Sequence, residues 1–175
     1  MNRNENPWKG LDSYQETDRL YGRDDEVEEL MSRIEYNVQT VLYSRTGIGK
    51  SSILKAGIYP KARKVGMLPV SIRLQHTTTP GESIPAYSAQ IIRSLEEELR
   101  IQGGVATELV PHRGGHEEEL WEYLHRHTFS IGGEKVIPLL VLDQFEEIFT
   151  LEKNVLRVSA FFAQIADLLN GIVPE

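Results

Sequence analysis

Two short runs of residues in this chain have the types and spacing to do chemistry. The first, Ser44 to Ser52, reads S-R-T-G-I-G-K-S-S and follows the apolar run Thr40-Val41-Leu42-Tyr43. It meets every defined position of the phosphate-binding pattern G-x-x-x-x-G-K-[ST] except the first, where Ser44 stands in place of glycine. Gly47 and Gly49 let backbone N–H groups close around phosphate oxygens where a Cβ would intrude. Lys50 reaches the β- and γ-phosphates, and the Ser51 hydroxyl is placed to ligate Mg²⁺. Thr46, Ile48 and Ser52 complete the expected nucleotide-binding set. A helix opening near Gly49 or Lys50 aims its free N–H groups and positive dipole end at the same anion. The competing reading is a helix-entry turn with no ligand. An apolar strand before the loop and a helix after it, carrying Ile53, Leu54 and Ile58 and ending at Pro60, favour the phosphate loop. Ser44 is open: a positive φ there costs about 1 kcal/mol, whereas without one its hydroxyl acts as a local cap.

The second run is Val136-Ile137-Pro138-Leu139-Leu140-Val141-Leu142, ending in Asp143-Gln144-Phe145-Glu146-Glu147. A continuous apolar strand that ends in a carboxylate is expected to be buried on both faces and to present the acid at the crevice where ligands bind. Alone, Asp143 reads as a cap on the following turn. Paired with the upstream loop it reads as the Mg²⁺ carboxylate opposite Ser51, acting directly or through water. Hydrolysis also needs a group that orients or deprotonates water. Glu146 and Glu147 are the candidates, Gln144 could orient water through its amide, and the sequence does not choose among them.

These runs need elements to position them. Residues 1 to 20 read as an irregular segment docking through Trp8 and Leu11. Asp24 reads as the N-cap of a helix with Val27, Leu30, Met31 and Ile34 on one face. A first strand is expected over about Val38 to Tyr43, and the loop helix is expected to run to about Tyr59. Lys61, Arg63 and Lys64 read as a solvated basic turn, and Leu68 to Leu74 as a second strand. Beyond the breaker cluster Thr77 to Gly81, a helix over about Ser83 to Ile101 carries Ile84, Tyr87, Ile91, Leu95 and Leu99. Gly103-Gly104 ends it, and a loop follows through His112, Gly114, Gly115 and His116. Glu117 to His127 suggests a helix burying Leu120, Trp121 and Leu124. A last helix over about Asn154 to Asn170 is expected to bury Val155, Val158, Phe162, Ile165 and Leu169. Strands alternating with long helices imply an α/β domain with a mainly parallel sheet.

The chain has 175 residues, 40% hydrophobic and 26% charged, which suffices for one domain with a real core. Its net charge of −7 argues against nucleic-acid binding through the bulk surface. With no cysteine, disulfides, thiol catalysis and cysteine-ligated zinc are excluded, which fits a reducing cytoplasm. No apolar run approaches the roughly 20 residues of a membrane helix, and the polar opening lacks the apolar core of a secretory signal. A soluble cytoplasmic protein is expected. His112 and His116 are four apart, but Gly114-Gly115 between them disfavours a shared helix face; with His125 and His127 they read as polar loop residues, not as a metal site.

N-P-W-K-G-L at Asn6 to Leu11, Y-G-R at Tyr21 to Arg23, G-I-G-K-S-S, A-G-I-Y-P at Ala56 to Pro60 and D-Q-F-E-E at Asp143 to Glu147 together resemble the STAND signal-transduction ATPases, and among them the novel STAND subgroup. The resemblance runs over essentially the whole chain. It implies a P-loop NTPase-like three-layer sandwich, with Gly22 and Arg23 beside the adenine and ribose of ATP or ADP, and with Mg²⁺. It further implies a switch that ADP holds closed, and that trigger binding with ATP exchange opens for self-association and effector activation in signalling or antiviral defence. Such ATPases add a strand between the loop strand and the strand ending in Asp143, followed by a sensor arginine and further domains. None is present, so the expectation is an incomplete sheet, with residues 1–35 as a docking segment and Gly-Arg helix and 36–175 as a core truncated before the sensor strand. ATP hydrolysis is expected of the full-length protein and to be weak or absent in this piece.

Two other readings compete. A small P-loop kinase or phosphotransferase would need an arginine-bearing lid, for which Arg113 and Arg126 are too sparse. A nucleotide-free interaction module with a degenerate loop has only Ser44 in its support. A GTPase is disfavoured because no N-K-x-D motif occurs.

Overall fold

The structure, a computed structural model, describes residues 14–45, 47–76, 85–112 and 118–171. They fall into two compact units, Met1–Met67 and Leu68–Glu175.

In the first unit, α1 (Asp24–Tyr36) opens with three acidic residues, Asp24, Asp25 and Glu26, at its positive end. Arg23, not Asp24, takes the N-cap position, and Val27, Leu30 and Met31 are buried. The loop helix comes in three pieces: α2 (Lys50–Ser52), a π segment (Ile53–Ile58) and α3 (Tyr59–Lys64). Pro60 does not end it. The proline sits just past the π segment, where the helical hydrogen-bond ladder is already interrupted, and the helix continues through the basic residues. Lys61 and Arg63 are therefore helical, paired with Glu28 and Glu16. Gly57, in the π segment, is the closest approach to α1. A Cβ there would lie 2.5 Å from Val27 Cγ2.

The strand expected at Val38 to Tyr43 does not form. Those residues follow α1 as irregular backbone, with Val38 and Tyr43 82% and 93% exposed. A strand requires a ladder partner, and apolar composition alone does not supply one. The stretch hangs instead from the end of α1, where Asn37 N–H and Nδ2–H both donate to Arg33 O, at 3.1 and 2.7 Å.

The second unit is a four-stranded sheet in the order β1-β4-β3-β2, with β1 Met67–Ile72, β2 Gly104–Glu108, β3 His127–Ile131 and β4 Glu134–Leu142. The sheet is not the mainly parallel one expected from the sequence, because β2–β3 and β3–β4 are both antiparallel. Gly132 and Gly133, at φ 58° and 87°, make the two-residue turn between β3 and β4, which demands left-handed backbone at both positions. The β3–β4 ladder is recorded only from Glu134 to Val136, so Pro138, which lacks an N–H, lies beyond it. Arg126, at the end of α5 (Leu120–Arg126), bridges Glu108 and Glu118 and fastens the end of β2.

Helix α4 (Tyr87–Ile101) packs on β2 and β4, and α5 packs on α4, β3 and α7 (Val155–Asn170). Tyr87, Ile91, Leu95 and Leu99 are buried as expected; Ser83 and Ile84 lie outside the described residues. Val136, Leu140 and Leu142 of β4 join this core, but Ile137 is 67% exposed and no residue of β4 is fully buried. The strand expected to be buried on both faces is covered on one. Val155, expected inside, is 77% exposed in the first turn of α7, and Phe161 is the buried anchor. Trp121 is half-buried and stacks on His125 at 3.9 Å. Trp8 and Leu11 lie outside the described residues.

A polar network runs through this core. His76 Nδ1 lies 2.8 Å from the Tyr87 hydroxyl, which donates to Glu152 Oε2 at 2.8 Å. Arg157 donates to the same carboxylate at 3.2 Å and lies over the Tyr87 ring at 4.2 Å. Burial pushes the Tyr87 hydroxyl pKa up, and the bond to Glu152 adds to the shift. For Glu152 burial pushes the same way, but the Asn154 N–H, the Tyr87 hydroxyl and Arg157 outweigh it and hold the carboxyl below its ordinary value of 4.5.

Two outcomes follow. Gly57→Ala is expected to destabilise the first unit by about 1–3 kcal/mol through overpacking, despite its better helix propensity. Adding Val27→Ala should recover most of that loss in chemical denaturation. Because Glu152 is depressed, its ionised form contributes stability that is present above about pH 4.5 and lost as pH falls through the folded value. Glu152→Gln should flatten that acid limb in denaturation midpoints measured against pH, and cost about 3 kcal/mol at pH 7 by leaving the Arg157 charge without a carboxylate.

Candidate functional site

The phosphate loop emerges from irregular backbone and turns into α2 at Gly49. Gly47 and Gly49 both take positive φ, 86° and 88°, so each position excludes a side chain without strain. Ser44 is not among the positive-φ residues, and its hydroxyl donates weakly to Arg45 O at 3.4 Å. Serine therefore carries no backbone strain there, and its hydroxyl, donating to a carbonyl, caps no N–H of the helix that follows. Thr46 lies outside the described residues.

Lys50 folds its ammonium back over the loop, 2.9 Å from Ser44 O and 3.5 Å from Arg45 O. The cation rests on carbonyl dipoles, which a phosphate with full charge would outbid. Ser51, next in α2, has no hydrogen-bond partner among the described residues, whereas Ser52 Oγ accepts from Tyr14 N–H at 3.2 Å. The two serines thus divide: Ser52 anchors the helix to the preceding segment, and Ser51 keeps a hard oxygen free.

Gly22, at φ 69°, turns the chain into α1 and sets Arg23 against the loop. Arg23 Nη1–H donates to Ile48 O at 3.0 Å, and its Nε pairs with Glu26. Its Nη1 also lies 3.6 Å from where a Gly49 Cβ would be. The Gly-Arg pair and the loop, 25 residues apart, are therefore brought together within one unit.

The acidic run belongs to the second unit. Asp143 closes β4, and its N–H donates to Ile72 O at 2.8 Å, so the end of β1 supports it. Gln144 then takes φ 54°, the one non-glycine positive φ among the described residues. Glu147 N–H returns to Gln144 O at 2.9 Å, closing the turn into α6 (Glu147–Thr150). The two glutamates differ. Glu147 Oε1 accepts from Arg73 Nη2 at 2.8 Å, while Glu146 is exposed and has no partner among the described residues. Arg73, one residue past β1, had no signal in the sequence: a lone arginine after a strand reads as solvated.

Among the described residues no group of three or more His, Cys, Asp and Glu could hold a metal. Magnesium does not need such a cage, since one or two protein oxygens with waters and phosphates suffice. The free Ser51 hydroxyl and the Asp143 carboxylate, itself without a partner among the described residues, are hard oxygens of the kind Mg²⁺ takes. His125 and His127 place Nδ1 2.9 Å from Trp121 O and Tyr123 O, and His116 lies outside the described residues. No helix of the described residues is long and apolar enough to cross a membrane.

A family model described as Novel STAND NTPase 1 matches residues 7–173. No curated protein and no solved structure matches the chain.

The left-handed Gln144 carries its own test. A β-branched residue tolerates that backbone worst, so Gln144→Val should lower the stability of the second unit by about 1–2 kcal/mol. Gln144→Gly should be neutral or gain up to about 1 kcal/mol, as strain relief offsets glycine's entropy. Denaturant midpoints of the two variants provide the comparison.

Proposed function

The chain belongs to the Novel STAND NTPase 1 family, and on that premise we propose that it is an ATP/ADP-binding switch module of a signalling or defence ATPase, with a three-layer P-loop fold and slow Mg²⁺-dependent hydrolysis. The observation that carries the reading is the Gly47–Lys50 loop, with two left-handed glycines, a lysine ammonium waiting on carbonyls at its mouth, and Arg23 braced against Ile48. Backbone N–H groups of the loop would cradle the phosphates, Lys50 would leave Ser44 O for the β- and γ-phosphates, and Gly22 and Arg23 would meet the nucleoside side. Ser51 and Asp143 would hold Mg²⁺, whose charge neutralises the phosphate oxygens. Either Glu146, Glu147 or Gln144 would position the attacking water. In this reading turnover resets a switch that self-associates on activation, with a protein trigger and effector as partners.

Nucleotide binding is directly measurable. ADP or ATP with Mg²⁺ at 100 times its Kd should add about 2.7 kcal/mol to the stability of the folded chain, visible as a raised melting temperature. Lys50→Ala should abolish the shift for ATP while leaving the unliganded melt nearly unchanged. A wild-type chain whose melt moves with neither nucleotide would overturn the reading.

A further inference from the structure

Arg23 touches the phosphate loop at one peptide group. Its Nη1–H donates to Ile48 O at 3.0 Å, and Nη1 lies 3.6 Å from where a Gly49 Cβ would be. The Ile48–Gly49 peptide is trans, so its C=O and N–H point in opposite directions across one plane. Holding the carbonyl toward Arg23 therefore turns the Gly49 N–H away from the guanidinium. That N–H has no partner among the described residues. Gly49, at φ 88°, has the backbone freedom that would otherwise let this peptide rotate.

The guanidinium is itself held. Its Nε pairs with Glu26, three residues on in the first turn of α1. Arg23 is the N-cap residue of α1, and Val27 of that helix fits against Gly57 of the π segment, which keeps α1 beside the loop's own helix. All of these residues lie in the first unit.

We propose that Arg23 is a positioning residue for phosphate: through the Ile48 carbonyl it presets the Gly49 N–H as a donor to a phosphate oxygen. The inference rests on the nucleotide-binding reading above and moves Arg23 within it from the nucleoside to the phosphates. A donor fixed beforehand need not be ordered when the ligand arrives, which raises affinity without an added contact. The anion meets the N–H side of the peptide, so the arginine acts without occupying the anion's place.

Calorimetric titration of the whole chain with inorganic pyrophosphate, ADP and ATP, at one fixed Mg²⁺ concentration, tests it. Arg23→Ala should weaken all three by the same factor, about 10-fold, and that factor should hold from low to high salt. Glu26→Gln, which loosens the guanidinium without removing it, should weaken all three equally and by less, and it keeps the test readable if Arg23→Ala does not fold. The inference is overturned if pyrophosphate binding is untouched while ADP and ATP weaken, which is the pattern of a nucleoside contact. It is also overturned if the factor shrinks toward one as salt rises, the pattern of a distant charge, if neither variant weakens any ligand, or if wild type binds ADP but not pyrophosphate. A wild type that binds none of the three would sink the nucleotide reading itself.

Discussion

A loop with the sequence pattern of a phosphate cradle must also be stable while empty. Its N–H groups converge, its glycines are committed to left-handed backbone, and its lysine brings a cation to the same spot. The structure meets this constraint from both sides. Lys50 spends its charge on Ser44 O and Arg45 O, and Arg23 spends a donor on Ile48 O. Neither contact buries an ion pair, so neither must overcome the penalty of stripping a stable partner from it. The loop is thereby held open by weak dipolar contacts that an anion can displace. The fused α2, π segment and α3 behind it need Gly57 to sit close to Val27, which links the loop's helix to α1 and hence to the Arg23 that starts α1.

The second unit solves a different problem, which is to end a strand on a charged residue and reverse direction at once. Strand β4 carries Leu140 and Leu142 into the core while Asp143 must stay out of it. The end of β1 supplies the backbone acceptor for Asp143, and Arg73 supplies the cation for Glu147. The Tyr87–Glu152–Arg157 network then anchors the segment between α6 and α7 to α4. The Arg73–Glu147 and Tyr87–Glu152 contacts span 74 and 65 residues, so the turn is positioned by packing and not by its own local preference alone.

That distinction explains what was legible in the sequence. Helices α1, α4 and α7 and strands β1 and β4 follow from hydrophobic period, and the phosphate loop and Asp143 from spacing alone. Strands β2 and β3 were not read, although Gly132-Gly133 between H-T-F-S-I and K-V-I-P-L-L-V-L is a strong two-residue hairpin signal. The glycines directly precede the apolar run of β4, and the pairing they imply shows only when the weaker H-T-F-S-I flank is weighed with it. Val38 to Tyr43 failed in the opposite direction, since its composition suits a strand but a ladder partner is a tertiary fact. Pro60 reads locally as a stop, but the π turn before it lets the helix pass through. Arg73 lay beyond reach, because an ion pair spanning 74 residues leaves no mark on spacing.

Gln144 shows where local and global demands conflict. A glycine would relieve its left-handed backbone, and four residues separate the last strand position, Leu142, from the first residue of α6, so some sharp reversal is unavoidable. Glycine would also widen the range of directions that the turn can take in the folded state. A side chain at φ 54° narrows that range at a cost of about 1 kcal/mol. The core of the second unit can bear such a cost, because Tyr87, Ile91, Leu95, Leu120 and Ile148 are all almost fully buried. Strain tolerated by a well-packed unit and concentrated beside three carboxylates belongs with a geometric requirement on those carboxylates.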